Sequence, residues 1–141
     1  MTINQISIFL ENKYGKLSEI LALLGRENIR IIAATVADTS EFGILRMIVS
    51  DAKRAYNLLK NNRVNANITE VLAITTGSEA GTFASALELF TRAGLSIEYM
   101  YCFSVREKSF LILQVNDKEA AREVIRRNGL GYITENDLNK L

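Results

Sequence analysis

The sequence repeats itself once, and this internal repeat limits the possible folds more than any other feature. An offset of 66 residues places Gly15 on Gly81, and the two halves then align without a gap to the end of the chain. Thirteen of the 75 overlapping positions are identical, and they fall on periodic apolar sites and on element boundaries. We therefore expect two copies of one supersecondary unit, a first domain over residues 1–69 and a second over residues 70–141.

Both halves show the same order of helices and strands. Apolar residues spaced i, i+3, i+4, i+7 predict a first amphipathic helix in each half: Leu17, Ile20, Leu21 and Leu24, and again Phe83, Ala86, Leu87 and Phe90. Asp51 and Asp117 each precede a second helical stretch, at the place of its N-cap. Strand-like runs precede the first helix, lie in pairs between the helices, and follow the second helix as "VNANITE" or "LGYITEND".

This order of elements, strand, helix, strand, strand, helix, strand, predicts the fold class. It belongs to an α+β fold of two ferredoxin-like βαββαβ units, each an antiparallel sheet with both helices on one face. A unit of this size buries only roughly 60% of the surface of its unfolded chain, so we expect the two units to pack together. No Pro/Gly/Ser linker separates them near Thr69 and Glu70, which predicts that strand runs almost directly into strand.

The composition argues against covalent chemistry. The chain contains no histidine, which removes the usual general base and the commonest metal ligand, so no catalytic residue, metal site or cofactor is predicted. Its single cysteine, Cys102, excludes an internal disulfide and indicates a reducing, cytoplasmic compartment. With no histidine to activate its thiol, we expect Cys102 to be a small buried apolar residue.

Charge and hydropathy give no reason to expect nucleic acid or a membrane as a partner. Lys and Arg total 17 and Asp and Glu total 16, for a net charge of +1. The basic pairs Lys53–Arg54 and Arg126–Arg127 lie in the second helices, where solvated faces normally carry charge. The N-terminal stretch is too short and too polar for a signal peptide, and no apolar run approaches the ~20 residues of a membrane helix.

A glycine turn joins the first strand to the first helix in each half. It contains Gly15 in "NKYGKLSEIL" and Gly81 in "TGSEAGTFASAL". The unpaired N–H groups and the positive dipole end of a helix start would suit an α-carboxylate. Glycine also permits a sharp turn where a side chain would clash. The spacing alone leaves both interpretations open.

The repeated βαββαβ order and the residues at its turns resemble those of the ACT domain. The resemblance rests on the glycine turn and on the asparagine or glycine just before the second strand, in "ENIRI" and "AGLSI". Two ACT copies cover nearly the whole chain, so it resembles a stand-alone tandem ACT protein with no catalytic domain attached. The usual ACT turn carries proline before the glycine, whereas Tyr14 and Ala80 occupy that place and the chain has no proline.

The resemblance implies where a ligand binds. ACT domains are regulatory modules that typically bind amino acids where the first loop of one domain meets the second-strand region of a neighbour. The implied loop residues are Asn12, Lys13, Tyr14, Gly15, Lys16 and Leu17, and Ser78, Glu79, Ala80, Gly81, Thr82 and Phe83. The implied opposing walls are Asn28, Ile29 and Ile31, and Leu95, Ser96 and Ile97.

Such a site would hold a zwitterion by three kinds of contact. Turn amides would bind the carboxylate, carbonyls or Glu79 would bind the ammonium, and the apolar wall would select the side chain. The first turn is basic, "KYGK", and the second acidic, "SEAG", which predicts two sites of unequal affinity or one empty site.

The expected function is that of a regulatory protein, not an enzyme, which senses a free amino acid between ACT-like units. Partners implied with it are a second copy of the chain, as in a dimer, and a regulated protein. The alternative is a ligand-free interaction module that docks another protein through its sheets. Tyr99, Tyr101 and Phe103 alternate on one strand and so share a face, for which core or interface packing is favoured over stacking on a ligand.

Overall fold

A computed structural model describes residues 1–11, 15–38 and 41–141 of the chain. The described residues fall into two compact units. The N-terminal unit comprises Asn4–Glu70, and the C-terminal unit comprises Met1–Ile3 together with Val71–Leu141. The first three residues belong with the second unit because the Met1 carbonyl accepts a hydrogen bond from the Ala73 N–H at 3.0 Å.

The N-terminal unit has the order of elements that the repeat predicts. Its elements are most of β1 (Thr2–Glu11), α1 (Lys16–Arg26), β2 (Ile31–Asp38), β3 (Phe42–Val49), α2 (Ala52–Asn61) and the first part of β4 (Ala66–Thr76). β3 pairs antiparallel with both β1 and β2, and Leu45 stands opposite Ile8 on one side and Val36 on the other. The sheet of this unit therefore has the order β2-β3-β1-β4.

One face of this sheet carries both helices. Ile8 and Leu45 of the sheet lie in one buried cluster with Leu24 of α1 and Leu59 of α2. Each of these side chains is at most 1% exposed. The predicted apolar stripe of the first helix is confirmed in its buried members, since Ile20 and Leu24 are four residues apart and face the same core.

The C-terminal unit repeats this arrangement. After β4 come α3 (Thr82–Arg92), β5 (Ile97–Val105), β6 (Lys108–Val115), α4 (Lys118–Asn128) and a short helix, α5 (Glu135–Leu138). β6 pairs antiparallel with β4 and with β5, and Phe90 and Ile125 of the helices pack on Leu72 and Leu111 of the sheet. The predicted fold class is thereby confirmed in both units.

Both predicted aspartate caps are present. The Asp51 side chain accepts a hydrogen bond from the Arg54 N–H at 3.1 Å, and the Asp117 side chain accepts one from the Ala120 N–H at the same distance. Each carboxylate thus satisfies a backbone donor that has no partner within its helix. This role accounts for both aspartates without acid–base chemistry.

The last predicted strand of the second copy is much shorter than expected. In "LGYITEND" only Tyr132 bridges to Ile74, flanked by hydrogen bonds from Thr75 to Gly131 and from Ile133 to Ala73. The chain then turns into α5, because Thr134 and Asp137 form a capping box that satisfies the first N–H groups of a helix. The sequence-based interpretation extended the strand through these residues and missed α5.

The capping box makes α5 sensitive to acid. The Asp137 carboxylate accepts hydrogen bonds from the backbone N–H and the hydroxyl of Thr134, each at 2.9 Å, and these bonds lower its pKa below the ordinary 3.8. A carboxyl whose pKa is lower in the folded state stabilises that state above its unfolded pKa, and this contribution is lost as the pH falls through the folded pKa.

Replacing Asp137 with asparagine is therefore expected to lower stability at pH 7 but not in acid. Urea denaturation from pH 7 down to pH 2.5 should show the two curves beginning to converge below about pH 4, where the unfolded carboxyl titrates, and meeting as the pH falls through the lower pKa of the folded carboxyl. Thr134→Ser keeps both hydrogen-bond donors and should retain the wild-type pH profile. A difference between wild type and Asp137→Asn that persists unchanged at the lowest pH would contradict this role of the charge.

The predicted burial of Cys102 is wrong, because its side chain is exposed. Cys102 lies opposite Leu111 and so points to the helix-covered face of the sheet. However, the fully buried strand residues of this core come from β4 and β6, and none comes from β5. β5 pairs with β6 alone within the C-terminal unit, so side chains of this edge strand lie beyond the helices.

The three aromatic residues of β5 share one face, as predicted. Tyr99, Tyr101 and Phe103 are half-buried, alternating with exposed neighbours. The ring of Phe103 stacks on that of Phe110 with centroids 5.0 Å apart and an interplanar angle of 28°. These contacts favour packing within the unit over stacking on a ligand.

None of the helices described here is long and apolar enough to cross a membrane.

Candidate functional site

The turn between β4 and α3 is built around a left-handed glycine. Gly81 has φ 89° and ψ −8° and precedes the first residue of α3. The Thr82 hydroxyl lies 2.9 Å from the carbonyl oxygens of both Gly77 and Glu79, and the Thr82 N–H donates to the Glu79 carbonyl at 3.3 Å. These bonds close the turn on itself and fix where α3 begins.

The start of α3 is uncapped. No side chain accepts a hydrogen bond from its first turn, and the Ser85 N–H is the first to bond within the helix, to the Gly81 carbonyl at 3.0 Å. The N–H groups of Phe83 and Ala84 consequently have no acceptor among the residues that the structure describes. The positive end of the helix dipole adds to the attraction for an anionic group at this place.

A cleft of about 380 Å³ lies beside this turn and is named the α3 cleft. Its volume falls in the range of small-molecule sites. It is lined by the end of β4, the turn, one side of α3 and one residue of the segment after α4: Thr75, Thr76, Gly77, Ala80, Gly81, Thr82, Ser85, Ala86, Leu89 and Leu130. No charged side chain is among these residues.

The polar groups of the α3 cleft are hydroxyls. The Oγ1 atom of Thr76 is shielded from solvent and has no hydrogen-bond partner among the described residues. Ser85 and Thr82 add two further hydroxyls, while Ala86 and Leu89 supply apolar surface on the same side of α3. Such a cleft suits a small ligand with hydrogen-bonding groups at one end and an apolar body.

Gly15, the counterpart of Gly81 in the N-terminal unit, has a similar left-handed backbone but different surroundings. Gly15 has φ 80° and ψ −2° and also precedes a helix without a side-chain cap. The cavity beside it is smaller, about 200 Å³, and it is lined by Leu10, Glu11, Lys16, Leu17, Val36, Asp38 and Gly43. Three of these residues are charged, whereas none is charged in the α3 cleft. That the two sites differ in affinity stays a prediction.

The predicted loop residues are only partly found at these cavities. Ala80, Gly81 and Thr82 line the α3 cleft, and Lys16 and Leu17 line the smaller one. Ser78 and Glu79 of the second turn and Phe83 of α3 do not line the cleft. Asn12, Lys13 and Tyr14 lie outside the described residues.

The predicted opposing walls lie elsewhere in each unit. Asn28 and Gly94 occupy equivalent left-handed positions, with φ 58° and 75°. Beyond them Ile29, Ile31, Leu95 and Ile97 pack on the core of their own unit, and the Ser96 N–H donates to the Asn116 side chain at 3.0 Å. None of the six predicted wall residues lines either cavity.

Helix geometry explains why turn and wall stay apart within a unit. The turn precedes α1 or α3, and the wall follows the same helix, which has 11 residues in both cases. A helix of that length spans roughly 16 Å. One unit therefore cannot bring its own turn and wall to the same ligand.

Sequence reasoning missed several residues of the α3 cleft. Ser85, Ala86 and Leu89 follow Thr82 at i+3, i+4 and i+7 and thus continue its side of the helix, a signal that the sequence carries. Thr75, Thr76 and Leu130 reach the cleft through the tertiary structure and have no comparable signal.

Within the described residues, no group of three or more His, Cys, Asp or Glu side chains could hold a metal ion.

Solved structures include several of similar fold. Protein BT0572 from Bacteroides thetaiotaomicron is 38% identical, with a TM-score of 0.93, and the match covers 100% of this chain and 98% of that one. The ligand-free regulatory subunit of aspartate kinase from Thermus thermophilus has a TM-score of 0.62 at 14% identity, with coverages of 89% and 93%. The corresponding subunit from Thermus flavus has a TM-score of 0.58 at 16% identity, with coverages of 90% and 94%.

No curated protein matches the chain at a significant level of sequence similarity. The family model described as an ACT domain pair, however, matches residues 1–141. The two glycine turns, the two βαββαβ units and this match over the whole length confirm the resemblance, and the chain belongs to the ACT domain family as an ACT domain pair, a regulatory fold.

Proposed function

We propose that the chain is a regulatory protein that senses a free amino acid and binds it in the α3 cleft. The observation that carries this proposal is the uncapped start of α3 beside a cleft of ligand size. The N–H groups of Phe83 and Ala84 would receive the α-carboxylate, because they lack partners and lie at the positive end of the helix.

The rest of the ligand follows from the lining. The ammonium group would meet oxygen acceptors such as the shielded Thr76 hydroxyl, because no carboxylate lines the cleft. Leu89, Ala86 and Leu130 offer apolar surface to the ligand's side chain. An amino acid with a small or medium apolar side chain fits these contacts best.

A second copy of the chain would complete the site. Because the turn and the wall of one unit lie at opposite ends of a helix, the wall must come from another ACT unit, as the family resemblance implies. An amino acid bound between two copies would favour the assembly that closes the site, and this shift of population is the proposed signal to a protein partner. The proposal includes a homo-oligomer, a cytoplasmic location and no catalytic activity.

A thermal-shift screen of the purified chain against the twenty amino acids tests this function. A binding amino acid at a hundredfold excess over its Kd should add roughly 2.7 kcal/mol to the free energy of unfolding. One amino acid or a small set of related ones is expected to raise the melting temperature, and calorimetry should give a saturable heat for the same compounds. If none of the twenty shifts the melting temperature, amino-acid sensing is refuted.

The alternative function, a docking module without a ligand, is favoured by one feature of the N-terminal unit. Phe9 and Phe42 are 48% and 49% exposed. They share a sheet face, because Phe42 stands opposite Glu11 and Glu11 lies two residues from Phe9 on β1. Exposed aromatic pairs of this kind occur at protein interfaces. A complex with a protein partner that forms at full strength without any amino acid would support this alternative.

A further inference from the structure

The C-terminal unit contains a second cavity on the other face of its sheet. This cavity, named the hairpin pocket, measures about 420 Å³. Thr75 and Phe110 pair across β4 and β6, and this pair alternates with the pairs that face the helix core, so its side chains point away from the helices. Thr75 is the only residue that the hairpin pocket shares with the α3 cleft among the described lining residues.

Two segments form the walls of the hairpin pocket. One is the β5–β6 hairpin, which contributes Arg106 and Lys108, and the other is the segment around α5, which contributes Tyr132 and Lys140. Leu138 of α5 is 1% exposed, and the capping box stabilises the start of this short helix. Phe110, also 1% exposed, forms the closed floor of the pocket, and Tyr132, 44% exposed, supplies aromatic surface.

The lining of the pocket is positively charged. Three basic side chains, Arg106, Lys108 and Lys140, face one acidic side chain, Asp137. The Asp137 carboxylate is already engaged by the N–H and the hydroxyl of Thr134. Arg106 and Lys108 form no ion pair with any residue in the described parts of the chain. The pocket therefore combines aromatic surface with two basic groups that have no acidic partner.

The backbone of the hairpin is strained where it carries these groups. Arg106 and Glu107 have φ 49° and 65°, two successive left-handed residues at positions where hairpins favour Asn-Gly. Side chains at such positions cost free energy, and strain of this kind is concentrated at functional sites. Arg106 thus lies at the rim of the pocket in a backbone conformation that glycine would adopt at a lower cost in free energy.

The pocket is particular to the C-terminal unit. At the 66-residue offset, Lys108 corresponds to Phe42, Phe110 to Ile44 and Thr75 to Phe9. α5 corresponds to residues of β4 and so has no helical counterpart. The basic and aromatic lining is thus not a consequence of the repeated fold itself.

We propose that the hairpin pocket binds a small anion that carries an apolar, ring-sized group. Tyr132 contacts the apolar body above the floor formed by Phe110, and Arg106 and Lys108 bind the anionic group by charge-assisted hydrogen bonds. This site is separate from amino-acid sensing in the α3 cleft, since its lining selects net negative charge.

Fluorescence titration with 8-anilinonaphthalene-1-sulfonate, an aromatic anion, tests the proposal. N-phenyl-1-naphthylamine, the same ring system without the sulfonate, serves as the neutral comparison probe. The double variant Arg106→Gln/Lys108→Gln is expected to bind the sulfonate at least tenfold more weakly, because each charged hydrogen bond lost costs affinity. Its affinity for the neutral probe should change less than twofold.

The double variant Lys53→Gln/Arg63→Gln is the matched control, since it removes the same two charges from exposed positions of the N-terminal unit. It should bind the sulfonate within twofold of wild type. The proposal is overturned if the sulfonate does not bind, if both double variants lose affinity equally, or if Arg106→Gln/Lys108→Gln binds it as tightly as wild type.

Discussion

Replacing Gly131 with alanine is expected to lower the free energy of unfolding of the C-terminal unit by about 1–3 kcal/mol. A Cβ atom at this position would lie far inside van der Waals contact with the Oγ1 atom of Thr75. The backbone cannot easily withdraw, because the Thr75 N–H donates to the Gly131 carbonyl at 2.9 Å. Urea denaturation followed by circular dichroism measures the loss.

A second substitution locates the clash. In the Thr75→Ala chain the nearest remaining atom is the Cβ of residue 75, at 3.4 Å, which is ordinary contact. Gly131→Ala should therefore cost much less there than in wild type. Thr75→Val keeps the bulk at the same branch and should leave the full cost. If Gly131→Ala is equally destabilising in all three backgrounds, the close approach of Gly131 to β4 is not its cause.

Gly131 bears on both proposed sites, because Thr75 lines the α3 cleft and the hairpin pocket. The residues on either side of Gly131 each line one of these two cavities, Leu130 the α3 cleft and Tyr132 the hairpin pocket. The close packing of Gly131 on β4 thus sets one wall of each cavity. We expect any side chain at position 131 to displace the wall that it forms in the α3 cleft and in the hairpin pocket.

The repeat and its apolar spacing were sufficient to predict the four long helices, α1 to α4, and the fold class. Ile20 and Leu24, like Ala86 and Phe90, are buried at the predicted i, i+4 spacing. These features are local, because a helix start and an amphipathic face are each determined within a few turns of chain.

Features that depend on strand order were not predictable from the periodicity. Cys102 points to the face of its strand that the alternation predicts, but its exposure depends on β5 lying at the edge of the sheet. The hairpin pocket likewise requires the position of α5 beside a hairpin some thirty residues earlier in the chain. Only α5 itself had a local signal, the Thr134–Asp137 capping box, which the alternation of "LGYITEND" obscured.

The candidate ligand site was predicted in part, for a related reason. Gly81 and Thr82 follow from the turn motif, because that motif fixes its own backbone. The Thr76 hydroxyl and Leu130 enter the α3 cleft from segments more than fifty residues apart, a meeting that no spacing in the sequence records. The predicted walls at Asn28 and Leu95 depend on a second ACT unit and stay predictions.

Replacing Gly81 with valine is expected to weaken amino-acid binding at least tenfold while lowering the free energy of unfolding by only about 1–2 kcal/mol. The stability loss comes from the left-handed φ of 89°, since nothing lies within 4 Å of an added Cβ atom. The affinity loss comes from a branched side chain at the rim of the α3 cleft, where the carboxylate would approach the start of α3.

Gly129→Val is the matched comparison for this prediction. Gly129 is also left-handed, with φ 60°, has open space around its Cβ position, and does not line the α3 cleft. It should lose stability as Gly81→Val does but keep its affinity for the amino acid that gives the largest thermal shift. Calorimetric titration of both variants, alongside urea denaturation, separates the two effects. If affinity and stability fall in the same proportion in both variants, Gly81 is a structural turn and not part of a carboxylate site.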